Sequence, residues 1–221
     1  ISLLTLIMAL GVMTGCQNQN EIPAIEPLEE EVVKTVSETV KLKPDFVRIY
    51  PVLIIENTEL ADQYRAGEYE PLSTEQAITY CAFLKTWFEQ HNIEVIRTGL
   101  QSTEELDSGN SLVAGPYEPA MGELVVNEQY KQCIERCING HIEYFLDKEL
   151  SQRNVWGRLN TFTDLNISIF YPRSLTSKVR GLKNRNIVYF QANYPHLNIN
   201  WYEDSARNTV CCCIDGLQYV L

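Results

Sequence analysis

The stretch that decides the fold is Phe46–Ile55, which reads FVRIYPVLII. A nearly continuous apolar run of this kind is typical of a strand covered on both faces, as in a parallel sheet. Pro51 lacks a backbone donor, so strand pairing should weaken from that residue on. The sequence therefore predicts a buried strand that begins at Phe46.

Arg48 is the charged residue inside this run. Strand alternation places it on the same face as Phe46 and Tyr50. A charge within such a strand is costly unless it is paired or reaches a wet cavity. We therefore expect Arg48 to be largely buried, where it either lines a site or ends a salt bridge.

Helical patterns on both sides of the run predict a βαβ unit. An amphipathic helix is predicted from about Leu28 to Leu42, because apolar residues recur there every four positions. The clearest helix is Ser73–Gln90, which opens with a capping box and carries Cys81 as a small core residue. A short apolar strand, Ile93–Gly99, follows. This order of elements predicts two parallel strands joined through a helix.

Residues 116–156 carry a weaker helical signal. Within them Cys133, Cys137 and His141 are spaced four residues apart on one helical face. Three soft ligands on a face could hold a metal, but no fourth ligand with zinc-like spacing lies nearby in the sequence. The pattern therefore favours a packed or exposed helix face over a metal site.

The last third of the chain predicts a small α/β unit, because short alternating stretches are separated by Pro and Gly. Its predicted elements are a strand at Asn166–Tyr171, a helix at Ser174–Val179, a turn at Gly181, a helix at Asn186–Asn193, a strand at His196–Tyr202, and edge strands at Val210–Ile214 and Gln218–Leu221.

The charge is acidic overall but basic in one place. The chain has 18 Lys and Arg against 29 Asp and Glu, a net charge of −11, and evenly spread charge of that sign would repel nucleic acid. Five basic residues nevertheless fall within residues 173–185 with no acid among them: Arg173, Lys178, Arg180, Lys183 and Arg185. Such a run is commonly a solvated face. At a glycine turn between helices, however, cations and backbone N–H groups can both meet phosphate, so we expect an RNA contact there.

The first sixteen residues allow two interpretations. Ile1–Gly15 is nearly all apolar, too short to span a bilayer and of the length of a signal-peptide core. Met13–Cys16 resembles the lipidation box of bacterial lipoproteins, in which Cys16 would carry the lipid. The alternative is a buried strand of a truncated barrel that runs into a loop.

Composition and motifs exclude several classes of protein. The 221 residues are 45% apolar, which is ordinary for a globular chain. Seven Cys without regular spacing favour a reducing compartment over a disulfide framework. The sequence has no nucleophile elbow, dinucleotide fingerprint or P-loop, and its three His are dispersed. We therefore predict no catalytic residue from motifs alone.

Ordered strings of residues carry a family resemblance. They include KPDFVRIYP at 43–51, TEL at 58–60, GEY at 67–69, VIRTGLQ at 95–101, VAGPY at 113–117, ELV at 123–125 and SKVRG at 177–181. With these strings the chain resembles, from roughly Leu28 to Trp201, bacterial radical S-adenosylmethionine proteins related to the catalytic subunit of elongator.

The sequence patterns, this resemblance and a further likeness of the final unit to a KH domain together predict an α/β fold in four segments. Residues 1–27 would be the apolar leader and tether, 28–115 the C-terminal edge of a partial β/α barrel, 116–156 a helical connector, and 157–221 a small KH-like C-terminal extension. The residues expected at the barrel mouth are Arg48, Tyr50, Thr58 and Gln101. Complete members bind a [4Fe–4S] cluster through a C-x3-C-x2-C motif and cleave S-adenosylmethionine, and elongator-type relatives modify the wobble uridine of tRNA.

This sequence departs from the family pattern at several positions. The cluster motif is absent, because Cys133 and Cys137 have its first spacing but the third Cys is missing. Glu118 stands where the family usually has His. Asn184 replaces the second glycine of a G-x-x-G loop that starts at Gly181.

Together these features predict a fragment of a cytoplasmic tRNA-modifying enzyme. The fragment would retain the barrel edge and the extension that docks substrate or RNA, hold no cofactor of its own, and be inactive alone. Its partner would be tRNA, bound through the basic turn. The alternative is a membrane-anchored lipoprotein with a binding role and no catalysis, in which the membrane is reached only if Cys16 is lipidated.

Overall fold

The computed structural model describes residues 30–109, 111–151 and 165–221. It is a mixed α/β structure of helices and small sheets, as the sequence predicts. The chain divides into two compact units, and the boundary between them lies between Glu128 and Gln129.

The N-terminal unit contains two small sheets and their helices. In chain order its elements are α1 (Glu30–Leu42), β1 (Phe46–Ile49), β2 (Ile54–Ile55), α2 (Glu59–Ala66), α3 (Thr74–Gln90), β3 (Glu94–Thr98), α4 (Glu104–Asp107), β4 (Leu112–Ala114) and the start of α5 (Met121–Ser151). Strands β1 and β3 pair in parallel, and β2 pairs with β4 antiparallel. The predicted parallel pair on either side of a helix is therefore confirmed.

Helix α3 forms where the capping residues predict it. Ser73 Oγ accepts from the backbone N–H of Gln76 at 3.2 Å, and Gln76 Oε1 accepts from the backbone N–H of Ser73 at 2.9 Å. The helix buries Phe83, Phe88 and Cys81. Burial raises the pKa of the Cys81 thiol to about 12, so this thiol stays protonated and acts as an apolar core group.

Strand β1 differs from its prediction on one face. Ile49 is buried, but Phe46 is 55% and Tyr50 43% exposed, and Arg48 is exposed between them. The predicted alternation is correct, whereas the prediction that both faces are covered is wrong. The reason is that α3 packs against β1 and β3, while the described residues place no second layer on the other face. An apolar run shows which faces are apolar but not what covers them.

Two glycines close the turns that follow the strands of this unit. Gly99 has φ +80°, and its backbone N–H donates to the carbonyl of Ile49 at 2.9 Å. A Cβ at this position would lie 2.6 Å from Cβ of Met121. Gly115 has φ +109°, and a Cβ there would lie 3.0 Å from the carbonyl oxygen of Val52. Only glycine meets both requirements, the backbone angle and the close approach.

The C-terminal unit is built on a four-stranded sheet. It contains α5 from Gln129 onward, β5 (Asn166–Tyr171), a 3-10 turn (Arg173–Leu175), α6 (Thr176–Arg180), a second 3-10 turn (Leu182–Asn184), α7 (Arg185–Asn193), β6 (Asn198–Glu203), β7 (Cys211–Ile214) and β8 (Leu217–Val220). The strand order is β6-β5-β7-β8, with β5 parallel to β6 and the other two pairs antiparallel.

The sequence predicts the elements of this sheet better than their order. The strand predicted at Val210–Ile214 exists as β7, but it lies inside the sheet, between β5 and β8. The prediction that it is an edge strand is therefore wrong. The turn to β8 is Asp215–Gly216, whose φ angles of +48° and +84° suit a tight hairpin, and this hairpin adds β8 as the outer strand.

One face of this sheet forms the core of the unit. Its buried members come from α5, from the sheet and from α6 and α7: Ile134, Ile138, Leu165, Ile167, Ile169, Tyr171, Val179, Phe190, Leu197, Val210, Cys212 and Ile214. Glu135 on α5 also accepts hydrogen bonds from the hydroxyls of Tyr189 at 2.7 Å and Tyr194 at 2.8 Å. Burial and the bond to Glu135 raise the pKa of Tyr194 to about 12. The described part of α5 after residue 128 is therefore packed on α7 by both apolar and polar contacts.

His141 makes the stability of this unit depend on pH. It is 2% exposed, and its Nδ1 lies 2.9 Å from the hydroxyl oxygen of Tyr219 on β8. Burial lowers the pKa of His141 below its ordinary 6.5, while the charge of Asp215 acts weakly in the other direction. The unfolded chain therefore binds more protons than the folded chain in mild acid. The stabilisation is complete above pH 6.5 and is lost as pH falls from there through the folded-state pKa.

We accordingly expect the free energy of unfolding of this unit to fall between pH 7.5 and pH 5.5. Urea unfolding, followed by hydrogen exchange in residues 165–221, measures this. The variant His141→Gln should lose most of the dependence, and His196→Gln, at an exposed position of the same unit, should keep it. An unchanged pH slope in His141→Gln would contradict the assignment.

Candidate functional site

The first candidate region lies where β1 and β3 end. Because the two strands are parallel, their carboxyl ends lie side by side. The register pairs Arg48 with Arg97, and both side chains are exposed. The expectation that Arg48 is buried with a partner is wrong, since the face it shares is open and it has no ion-pair partner among the residues that the structure describes.

Arg97 is the residue of this region that the sequence analysis missed. Its Nη1 donates to Oε1 of Gln101 at 3.0 Å, so it holds one of the predicted mouth residues. Like charges at paired strand positions repel each other. The pair of Arg48 and Arg97 therefore favours an anionic group between or above them. The available signal was the parallel pairing of β1 with β3, which sets Arg48 opposite Arg97 after a register shift between Val47 and Arg48.

Thr58 and Tyr50 occupy different kinds of position. Thr58 is the N-cap of α2, where its hydroxyl donates to the carbonyl of Ile55 at 2.7 Å and accepts from the N–H of Ala61 at 3.2 Å. Helix capping therefore accounts for this hydroxyl. Tyr50 follows β1 directly and stays on the open face, where the residue is 43% exposed.

A small depression lies beside these strand ends. Leu53, Leu100, Tyr117 and Met121 contribute to its lining, which is mostly apolar. Glu118 also lines it, and its Oε1 accepts from the N–H of Ala120 at 3.2 Å just before α5 begins. Glu118 is therefore an acid that caps a helix start.

Asp107 forms a polar cluster next to this depression. The hydroxyls of Ser102 and Tyr117 both donate to its carboxylate. These two bonds hold the pKa of Asp107 below its usual value, and the bond to Asp107 raises the pKa of Tyr117. The cluster therefore joins the loop after β3 to the segment before α5 while Asp107 remains ionised.

The second candidate region is the basic turn, defined as Lys178, Arg180, Lys183 and Arg185 around Gly181. Lys178 and Lys183 are exposed, and Arg180 and Arg185 are half-buried. The Nε atom of Arg180 is buried and makes no hydrogen bond within the described structure. Arg173, the fifth residue of the predicted set, precedes α6, and its Nε lies 3.8 Å from Oε1 of Glu203.

The backbone has a positive φ at three of the four positions from Gly181 to Asn184. Gly181 has φ +78°, and a Cβ there would lie 2.7 Å from Cγ of Arg185, so the arginine stem packs directly over the glycine. Lys183 and Asn184 have φ of +53° and +62°. Asn tolerates this left-handed conformation better than other non-glycine residues. Asn184 therefore adopts a backbone conformation that a second glycine would allow.

The donor set on α5 does not fit an iron–sulfur cluster. A C-x3-C-x2-C motif that began at Cys133 would need a third Cys at position 140, and Gly140 stands there. Cys133 Sγ accepts from Nη2 of Arg136 at 3.2 Å, and His141 is hydrogen-bonded to Tyr219. Among the described residues, no group of three or more His, Cys, Asp or Glu side chains is arranged to hold a metal.

The predicted lipidation residue Cys16 lies outside the described residues, as does the rest of the apolar leader. Within the described ranges, no helix combines the length and the apolar character needed to cross a bilayer.

Comparison with known proteins finds a family match in the N-terminal part of the described chain. Residues 44–132 match the model of the Radical_SAM C-terminal domain. Residues 44–132 are therefore similar to this domain, and the family resemblance predicted from the sequence is confirmed for them.

The curated relatives that match belong to one kind of enzyme. The chain is 31% identical over 126 residues to a tRNA uridine(34) acetyltransferase of Methanocaldococcus jannaschii, covering 53% of this chain and 21% of the relative. It is 29% identical over 126 residues to the tRNA uridine(34) acetyltransferase of Methanocaldococcus infernus, covering 53% and 22%. The chain thus spans about a fifth of the length of these relatives. No solved structure matches it significantly.

Proposed function

We propose that this chain is the barrel edge and RNA-docking extension of a cytoplasmic, elongator-like, tRNA-modifying radical SAM enzyme. The observation that carries the proposal is the match of residues 44–132 to the Radical_SAM C-terminal domain. The two relatives named as tRNA uridine(34) acetyltransferases support tRNA as the substrate class. Without the three-Cys motif, the described part of this chain supplies binding surface and leaves the radical chemistry to a cluster-bearing region.

The N-terminal unit would serve as one wall of the barrel mouth. Its parallel strands β1 and β3 are backed by α3, as barrel strands are backed by helices. The open face with Phe46, Arg48 and Tyr50 would face the lumen of the complete barrel. There the paired Arg48 and Arg97 would meet an anionic group of the cofactor or of the substrate. The substrate-binding sites of barrel enzymes gather at this end of the strands, which supports the assignment.

The C-terminal unit would dock the phosphate backbone of tRNA. The order β5, α6, glycine turn, α7 is the order in which a KH-like unit clamps nucleotides between two helices. Lys178 and Lys183 are exposed, whereas Arg180 and Arg185 are half-buried and the stem of Arg185 packs over Gly181. Four cations around one turn give a local attraction for phosphate that the acidic remainder of the chain lacks.

The basic turn is tested by removing two of its charges. The double variant Lys183→Ala/Arg185→Ala should weaken tRNA binding without preference for any sequence. Each lost phosphate contact removes about 0.7 from the slope of log K against log salt for single-stranded RNA, so the slope should flatten by about 1–2. Fluorescence anisotropy with the full chain and labelled tRNA, from 20 to 200 mM KCl (roughly the range over which such contacts respond), measures both quantities.

The matched control is Lys34→Ala/Lys41→Ala, which removes two exposed charges from α1 in the other unit. It should leave the salt slope unchanged. If the salt slope flattens equally in both double variants, the change in tRNA binding comes from net charge and not from the basic turn. An absence of salt-dependent tRNA binding by the full chain, even at the lowest salt, would overturn RNA docking.

A further inference from the structure

The four-stranded sheet of the C-terminal unit has a second face, opposite the helices. Strand alternation and the register place ten residues on this face, of which Cys211 is itself buried beneath its neighbours: Asn166, Ser168, Phe170, Asn198, Asn200, Tyr202, Cys211, Cys213, Gln218 and Val220. The core of the unit lies on the other face, with Ile167, Ile169 and Trp201. On the open face Tyr202 is 46% and Val220 61% exposed.

An aromatic pair stands on this open face, at the carboxyl ends of β5 and β6. Phe170 and Tyr202 are paired across the two strands, and their rings stack with centroids 5.2 Å apart and planes 22° apart. Arg207 covers the Phe170 ring, with its guanidinium carbon 4.9 Å from the ring centroid. Phe170 is half-buried, so the ring available to a ligand is that of Tyr202.

Amide side chains continue this face away from the aromatic pair. Asn198 Nδ2 donates to Oδ1 of Asn166 at 3.1 Å, and Asn200 Nδ2 donates to Oδ1 of Asn198 at 3.3 Å. Ser168 lies between Asn200 and Cys213 in the register. Hydroxyl and amide groups of this kind can donate to and accept from base edges.

The ten residues of this face are uncharged, and the five cations at 173–185 lie on elements whose helices pack against the opposite face. The segment 165–221, which contains the whole sheet, has six Lys and Arg against three Asp and Glu, in a chain whose net charge is −11. An exposed aromatic ring on the open face of a four-stranded sheet, in a unit with a net positive charge, is a feature by which proteins stack unpaired bases.

We propose that the open face of this sheet binds unpaired nucleobases of single-stranded RNA, with one base stacked on Tyr202 and its neighbour over the amide row. The inference rests on the proposed RNA function of the C-terminal unit and assigns this unit a second contact with RNA. The basic turn would hold phosphates, and the open face would hold bases. A purely structural role for the pair, as a cross-strand contact at the sheet edge, would leave RNA binding independent of Tyr202.

The test measures binding of the full chain to a labelled oligouridine of about 12 nucleotides and to an abasic oligomer of the same length. The first keeps bases and phosphates, and the second keeps only phosphates. Tyr202→Ala is expected to weaken oligouridine binding about 10-fold, as loss of one stacked base does, with no change in the salt slope or in binding of the abasic oligomer. Tyr202→Phe keeps a stacking ring and should bind within about twofold of the wild type.

Two further variants separate this inference from the proposed function. Val188→Ala, at an exposed position of α7, should bind oligouridine as the wild type does. Lys183→Ala/Arg185→Ala should lower the salt slope for both oligomers. Normal oligouridine binding by a folded Tyr202→Ala variant would overturn the base-binding face and leave the phosphate contact standing. If the wild-type chain shows no salt-dependent binding to either oligomer, both the base-binding face and the phosphate contact are overturned.

Discussion

Replacing Gly99 by Ala is expected to destabilise the N-terminal unit by about 2–4 kcal/mol, the largest effect we expect from a single methyl group in this unit. Gly99 has φ +80°, a backbone angle at which any L-residue that carries a side chain is strained. Its added Cβ would also lie 2.6 Å and 2.7 Å from Cβ and Cγ of Met121. Met121 is 2% exposed, and its Cβ is fixed to the helix backbone, so it cannot move aside as a flexible side-chain end could.

The matched control for this substitution is Gly67→Ala. Gly67 has φ +75°, yet no atom lies within 4 Å of the position of its Cβ. This variant therefore pays the backbone strain alone, about 1 kcal/mol. Urea unfolding monitored by hydrogen exchange in residues 30–109 compares the two. Equal losses of stability in both variants would show that the contact with Met121 is not what requires glycine at position 99.

Truncating Phe190 to Ala is expected to destabilise the C-terminal unit by about 3–5 kcal/mol. Phe190 is 1% exposed on α7, and its ring contacts those of Tyr189, Tyr194 and Trp201 at centroid distances of 5.4, 5.7 and 5.9 Å. The substitution leaves a cavity at the centre of the helix–sheet core. Because Tyr194 is also held by Glu135, the surrounding rings have little freedom to close that cavity.

Val188→Ala on the same helix provides the comparison for Phe190. Val188 is 59% exposed, so its truncation should change the free energy of unfolding by less than about 0.5 kcal/mol. Thermal unfolding by circular dichroism, with hydrogen exchange to localise the change to residues 165–221, distinguishes the two variants. A Phe190→Ala variant as stable as Val188→Ala would contradict the described packing of α7.

The sequence by itself determined the local elements and most of their boundaries. The capping pair Ser73 and Gln76 starts α3, and alternation places Asn166–Tyr171 in a strand, as observed. The ordered strings of the N-terminal half also pointed to the radical SAM family, which the match of residues 44–132 confirms. These features could be predicted because caps, alternation and helical periodicity depend on residues only a few positions apart.

The candidate sites were predicted less completely. The sequence located the basic turn, but it could not separate Arg173, which lies near Glu203, from the four cations around Gly181. It expected Arg48 to be buried, although the strand face that carries Arg48 is open. It did not single out Arg97 and Tyr202, because the role of each depends on the residue that lies opposite it on the neighbouring strand. Pairing joins residues 49 positions apart in Arg48–Arg97 and 32 apart in Phe170–Tyr202.

Only the tertiary structure decided which strands are neighbours and which faces stay open. The three adjacent Cys of β7 read as an edge strand, but pairing with both β5 and β8 places β7 inside the sheet and buries Cys211 and Cys212. The same pairing sets Phe170 beside Tyr202 on the face that the helices leave uncovered. Strand order is set by long-range burial of apolar area and by backbone hydrogen bonds between distant segments, and neither quantity is written in any short window of the sequence.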